Sequence, residues 1–383
     1  MKLFFCLLFI AIHCLPMFGQ KLSGYAGIMP SAILSSPNEE LRELRELRWQ
    51  TLLHNRLNFA LQFSERWSFE AGMRNRLITG DSDMIDPDGA SFDPAWADLS
   101  WNWAQGNRLV GNTAFDRLRL TFEHGKWKFQ LGRQRINWGQ TFVWNPNDIF
   151  NTYSFFDFDY PERSGCDALR VTFFHSETAS SELAASIGGN GKTTVALLHH
   201  RTWKGIDCQL IAGEQTQTDF VLGAALTGDF KGLNLRGEFS WFHPIERASD
   251  TSGIAALSLG ADYVFPNSLA VQTEVLYNKA GKAASAGGLM SLYSAPLSAK
   301  RLSVCDYSLF AQVSMPVTPR FNAALSGMYF VDIESFYAGL TMDVSIAENW
   351  DLSLVGQLFH TPESPESHAM QFAMGFARLK YSF

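Results

Sequence analysis

Residues 49–63 read "WQTLLHNRLNFALQF" and alternate from end to end. The odd positions carry Trp49, Thr51, Leu53, Asn55, Leu57, Phe59, Leu61 and Phe63. The even positions carry Gln50, Leu52, His54, Arg56, Asn58, Ala60 and Gln62. A period of two puts these sets on opposite faces of a strand, whereas a helix would repeat every three to four residues. The length decides the rest. Strands of soluble sheets run to about 5–6 residues, while a strand crossing a membrane needs about 9–11.

The pattern recurs along the chain. In "LNLRGEFSWF" (233–242), Leu233, Leu235, Phe239 and Trp241 oppose Asn234, Arg236, Glu238 and Ser240. In "LAVQTEVLYN" (269–278), Leu269, Val271, Val275 and Tyr277 oppose Gln272, Glu274 and Asn278. Trp67, Trp127, Trp203, Trp241, Tyr263 and Trp350 fall near strand ends, where interfacial girdles place aromatics. The chain closes on "FARLKYSF", with Ala377, Leu379, Tyr381 and Phe383 on one face and Arg378 and Lys380 on the other. These features predict an all-β protein: a single-chain antiparallel transmembrane β-barrel, apolar outside and polar within.

Composition agrees. Of 383 residues 46% are hydrophobic and 14% aromatic, yet the mean hydropathy is −0.06 and the net charge −7. No run after the N-terminus is long and apolar enough for a transmembrane helix. The acidic balance excludes a general nucleic-acid binder. "MKLFFCLLFIAIHCLPMFGQ" has a basic start, an apolar run and a short exit, the pattern of a secretory signal peptide over 1–19. The barrel is then 20–383. Cys166, Cys208 and Cys305 are too few and too scattered for a disulfide framework or a zinc site.

Connection lengths give an independent test. Short turns are expected at 64–66, 124–126, 203–205, 229–232, 266–267, 317–319 and 347–349. Long connections fall near 35–45, 80–113, 136–166, 244–252, 279–302 and 361–366. Outer-membrane barrels keep short turns on the periplasmic side and long loops outside. The two sets alternate if "LSGYAGIMPSAIL" (22–34) is the first strand and 96–103 belongs to a long external loop over 80–113. About eighteen strands result, with sixteen as the alternative. "ELRELRELR" (40–48) then runs from an external loop into the second strand.

Three other stretches have plain readings. "SIGGNGKTT" (186–194) lacks the first glycine of a phosphate loop and is followed by alternation, so it is a hairpin turn. "DSDMIDPDG" (81–89) does not keep calcium-hand spacing and reads as a solvated acidic loop. His199 and His200 are adjacent in a strand and point to opposite faces. Nothing in the sequence assembles a catalytic group or a cofactor site, and none is expected.

Arg56, Arg74, Arg76, Arg117, Arg119, Arg170, Arg236, Arg378 and Lys380 all oppose apolar positions. A lipid-facing Arg or Lys costs about 2–4 kcal/mol at the midplane, so these belong to the lumen. They pair with Glu70, Glu123, Glu238 and Glu274 to fill the interior, form a basic wall that conducts or holds anions, or do both.

"GRQRINWGQTFVWNPNDIFN" (132–151), followed by "DFDYPERSGCDALRV" (157–171), resembles the signature of porin-like outer-membrane barrels common in Bacteroidota. It is similar, more loosely, to alginate-export-type porins. "LSGYAG", "NRLNF" and "DRLRLTF" add weaker support. The resemblance implies location in the outer membrane of a Gram-negative bacterium, and a C-terminal strand ending at Phe383 that the barrel-assembly machinery reads.

The same segment has its own physical logic. Trp138, Phe142, Trp144, Phe150, Phe155, Phe156 and Phe158 need burial, and outside a barrel no core is available. The expected solution is a constriction loop, 136–166, folded into the lumen. Its polar members are Arg133, Arg135, Asn137, Asn145, Asn147, Asp148, Asp157, Asp159, Glu162, Arg163 and Asp167. The acids are expected to face the arginine wall, setting a transverse field. The predicted function is a porin or substrate-selective channel for small hydrophilic solutes, anionic or saccharide. A plugged structural barrel and, behind it, an outer-membrane hydrolase are the alternatives.

Overall fold

The computed structural model describes residues 19–36, 46–156, 162–246, 253–279, 298–362 and 370–383. Residues 1–18 of the expected signal peptide 1–19, most of 40–48, and Asp157, Phe158 and Asp159 lie outside the described residues.

The chain is a closed antiparallel barrel. It runs β1 (Gln20–Ser36), β2 (Glu46–Gln62), β3 (Trp67–Gly80), β4 (Ser100–Gly106), β5 (Leu109–His124) and β6 (Trp127–Gln134). Then follow β7 (Cys166–Ser176), β8 (Ala179–Ile187), β9 (Thr193–Trp203), β10 (Ile206–Gln215), β11 (Asp219–Phe230) and β12 (Leu233–Pro244). The last are β13 (Ile254–Val264), β14 (Ala270–Asn278), β15 (Tyr307–Thr318), β16 (Phe321–Phe330), β17 (Ser335–Ala347), β18 (Trp350–Thr361) and β19 (Met370–Ser382). Each strand of the ring pairs with the next, β3 pairs directly with β5, and β1 pairs with β19 to close it. The ring therefore has eighteen strands, and β4 stands outside it. At the seam, Phe383 N donates to Gly24 O at 2.9 Å and Gly24 N to Phe383 O at 3.0 Å.

All the short turns read from the sequence lie at one end of the barrel. Two of them, Lys204-Gly205 and Lys231-Gly232, have both residues at positive φ (53° and 80°, 56° and 87°). That is the backbone of two-residue hairpins whose twist matches the strands. The other end carries the long connections, but also tight ones at 188–192, 216–218 and 331–334. The first is the Gly-Asn-Gly turn, closed by Gly188 N donating to Lys192 O at 2.9 Å.

The lipid face is apolar, with Leu210, Leu226, Leu259 and Leu325 among its exposed side chains. The lumen is not uniformly polar. Along β14 the inward side chains run from half-buried Gln272 through buried Glu274, Leu276 and Asn278 toward the loop end. Similarly, Phe310, Met328, Phe330, Tyr337, Phe359 and Phe372 turn inward and are buried there. Apolar groups can face inward in this half because a loop covers them.

The segment 80–113 departs from the expected external loop. Residues 100–106 form β4, paired with the first half of β5 from Gly106↔Leu109 to Ser100↔Ala114. The cause is the shortness of β6. β5 pairs with β6 only from Leu118↔Arg133 to His124↔Trp127, so the upper half of β5 has a free edge that β4 takes. Trp101 and Trp103 are exposed on this patch. Short-range alternation in "WADLSWNW" cannot say which edge a strand will fill.

Candidate functional site

Gly132 lies near the end of β6, still paired with Arg119 and Ala168. Its φ is +114°, and a Cβ there would meet Leu118 O at 2.1 Å, so this bend in the strand needs glycine. After Gln134 the chain enters the lumen and rejoins the wall at Cys166. On the way it touches strands all round the barrel.

The first limb lies along β8 to β14. Trp138, 2% exposed, donates Nε1 to Glu182 Oε1 at 2.7 Å. Its ring packs in a cluster with Ile136, Ile149, Ala168, Ala184 and Ala196, whose small side chains leave room for the indole. Two wall carboxylates then hold the backbone. Glu238 accepts from the Gln140 and Thr141 amides, from Thr141 Oγ1 at 2.9 Å and from Asn147 N at 3.1 Å. Glu274 accepts from the amides of Phe142, Val143 and Trp144 at 2.8, 2.9 and 2.8 Å, and from Ser258 Oγ at 2.8 Å. Asn147 donates to Ala224 O at 3.1 Å and accepts from Ser240 Oγ at 2.7 Å. It sits where a Cβ on Gly223 would come within 2.6 Å of its Oδ1.

The second limb crosses to the other side. Phe155 and Phe156 pack edge-on against Tyr337, with ring centroids 6.3 and 5.0 Å away, and Phe156 lies 5.5 Å from Phe359. Residues 302–305 of the β14–β15 connection complete this cluster. Glu162 then reaches β1, accepting from Tyr25 Oη at 2.9 Å, and Arg117 on β5 donates to Glu162 O and Arg163 O at 2.6 and 2.8 Å. Arg163 stacks on Tyr153, its guanidinium carbon 3.9 Å from the ring centre, and Arg135 approaches the same ring at 5.3 Å.

The remaining polar residues divide clearly. Asn137 is exposed and accepts from Gly139 N at 3.3 Å. Asn145 and Trp144 are buried within the loop. Arg133 and Asp167 are not in the loop's interior. Arg133, 4% exposed, binds Asp167 at 2.9 Å and Asp93 at 2.5 Å, and donates to Ala97 O and Phe115 O. It thus clamps the segment leading into β4 over the stunted top of β6.

The inward arginines are largely engaged. Arg56 is 2% exposed and bidentate on Asp116, at 2.5 and 3.0 Å. Arg76 donates to Ala90 O and Asn112 Oδ1. Arg119 pairs with Glu70 at 2.6 Å, Arg170 with Glu182 at 2.5 Å and Arg236 with Asp262 at 2.9 Å, while Arg378 donates to Ser353. Arg74 lies beside Arg56 across the β2–β3 pair. Glu238 and Glu274, expected as arginine partners, instead receive loop amides. Glu182 escaped notice as a loop anchor because the Trp138 that needs it lies 44 residues away.

Asp148 is the exception. It is 1% exposed, and neither carboxylate oxygen has a hydrogen-bond partner. It lies within the loop, with the Trp138 and Asn151 amides facing it at longer range, and does not meet the arginine wall. Burial pushes its carboxyl well above the usual range, opposed by the charge of Arg135. The folded protein therefore keeps this proton at pH values where the unfolded chain has lost it. Its contribution to stability is complete below about pH 4 and is lost as pH rises toward the folded value. Asp148→Asn should flatten that decline. Unfolding temperatures of both proteins, followed by heat-modified gel mobility from about pH 5 to about pH 8, test it; parallel curves would reject it.

No protein-family model and no curated protein matches the chain. It is similar over nearly its whole length to two solved structures from Pseudomonas aeruginosa. OpdQ aligns with a TM-score of 0.58 at 9% identity, covering 96% of this chain and 99% of that one. OccK7 (OpdD) aligns with a TM-score of 0.56 at 6% identity, covering 95% and 99%. The fold is a porin fold. A Rhodopseudomonas blastica porin triple mutant also aligns, with a TM-score of 0.48 at 11% identity over 95% of this chain and all of that one.

Proposed function

We propose that this porin-type barrel is an outer-membrane channel for small hydrophilic solutes, with the loop of residues 135–165 as its internal constriction. The observation that carries the reading is the fastening of that loop to the far wall by Glu238 and Glu274. Eighteen strands enclose a wide lumen, and a loop bound across it sets the remaining passage. On the short-turn side the inward residues Gln272, Arg236, Asp351 and Lys380 are half-buried rather than sealed. The purified protein should give discrete conductance steps in planar bilayers. Their absence at every voltage would make the barrel a plugged structural one.

The charge pattern supports a preference for anions. Arg56, Arg74, Arg76, Arg117, Arg119 and Arg135 gather on the arc from β2 to just past β6, against the carboxylates Glu70, Asp116, Glu123 and Glu162, of which Glu123 is taken by Lys128. Pairing makes the preference modest. Neutralising Arg117 and Arg119 together with Gln should lower the anion-to-cation permeability ratio, and an unchanged reversal potential would remove the idea. Saccharides are a second reading, favoured by Phe142, which leaves 38% of its surface exposed on the loop as a face for sugar stacking.

A further inference from the structure

Alternation places most strand arginines and lysines of the described residues on the lumenal face; Arg133, at the outward parity of β6, is buried in its ion pairs with Asp93 and Asp167, and Arg201 is outward without an acidic partner. Arg201 on β9 shares the outward face of Val195, Leu197 and Trp203. It is exposed, and no hydrogen bond or ion pair engages it among the described residues. It pairs across β8 with Ala179, and its neighbour His199 pairs with Ser181. From the other side, His175 on β7 turns toward the same serine. Ser181 Oγ lies 2.8 Å from His175 Nε2 and 3.0 Å from His199 Nδ1, and the two imidazoles are 5.7 Å apart. One hydroxyl proton cannot serve both rings, so one imidazole accepts it and the other donates. Two small residues thus floor a notch walled by two histidines and an arginine.

The notch lies at the short-turn end, within an aromatic belt. The Trp127 and Phe173 rings meet at a tilt, 4.7 Å apart, beside His175, and Trp203 stands exposed beyond Arg201. Lys126 reaches over the rim to His175 O at 3.1 Å, and Lys204 sits on the Trp203 ring at 4.9 Å. Glu177 is exposed at the tip of the β7–β8 turn, and Glu182, next to Ser181 in sequence, alternates to the lumenal face, where it holds Trp138 and Arg170. Belts of this kind mark the level of lipid headgroups. An outward cation is tolerated there, and the neighbouring donors converge on a group with acceptor oxygens.

We propose that His175, Ser181, His199 and Arg201 form a binding site for the phosphate of an anionic glycerophospholipid in the leaflet facing the short turns. The inference needs only that the barrel lies in a membrane; it is independent of conduction. Arg201 supplies charge, and Ser181 with the imidazoles supplies hydrogen bonds. The acyl chains run up the wall over Leu183 and Leu197, both exposed and aligned with the notch.

The test is lipid retention by the full-length barrel in nanodiscs of mixed phosphatidylglycerol and phosphatidylcholine, read by native mass spectrometry after detergent release. The wild type should retain phosphatidylglycerol preferentially. Arg201→Gln should lower that retention about fivefold, the worth of one basic group near an anionic surface, and His175→Gln with His199→Gln should lower it further. Arg201→Lys should restore most of it. Lys192→Gln, at the opposite rim, should leave it unchanged, and heat-modified mobility confirms that each variant is folded. Equal retention of both lipids, or no effect of Arg201→Gln, overturns the site. Displacement of the lipid by millimolar inorganic phosphate would assign it to free anions and overturn the lipid reading.

Discussion

Glu274→Ala should release the middle of the constriction loop and raise single-channel conductance. The carboxylate, 2% exposed, receives three consecutive backbone amides from Phe142, Val143 and Trp144. Alanine leaves all three without an acceptor, at about 1–3 kcal/mol for each buried donor. Water must then enter or the loop must leave, and either outcome frees Phe142 and Trp144 from the wall. Glu238→Ala would compound the loss at Gln140, Thr141 and Asn147. The barrel itself should survive, because both glutamates lie within strands whose ladders are complete. Larger and noisier conductance steps, with protease cleavage newly appearing between 137 and 150, are the expected results. Unchanged conductance and an uncut loop would show that the amides find other partners.

Arg133→Met should destabilise the loop-side rim most among single changes there. Removing this guanidinium strands Asp93 and Asp167, and breaking one partner of a buried ion pair costs about 3–5 kcal/mol. The cost should fall where the clamp acts, on the segment 93–99 and on β4. The unfolding temperature, read from heat-modified mobility, should drop clearly in Arg133→Met and recover largely in the triple variant with Asp93→Asn and Asp167→Asn. A methionine substitution without thermal effect would mean the two acids are solvated rather than clamped.

Much of the architecture was legible because alternation and turn length are local properties. Residues 49–63 declare a strand and its lipid face without reference to any other segment, and the Lys-Gly pairs announce hairpins by backbone requirement alone. The aromatic content of 138–156 announced that the loop must be buried. What holds it there was not legible. Glu238 lies 97 residues from Thr141, and Glu274 lies 130 from Trp144. An inward glutamate looks the same in sequence whether it faces an arginine or an amide. The inward aromatics of β15 to β19 were hidden for the same reason, since they face inward only where the loop shields them. The position of β4 depended on where β6 stops, a consequence of Gly132 and the inward turn beyond it.

The reach of the loop bears on how the barrel comes to be built. Its residues touch Tyr25 on β1 and Arg117 on β5, and also Tyr337 on β17 and Phe359 on β18. These strands flank the seam from its two sides, and they come from opposite ends of the chain. A segment from mid-sequence can therefore gather both ends before the last ladder zips. Pairing β1 with β19 otherwise requires closing nearly the entire chain into one circle, the kind of non-local step that makes β topologies slow. The loop is positioned to act as an assembly scaffold as well as a constriction, so variants that loosen it should mature into the membrane more slowly than their final stability would suggest.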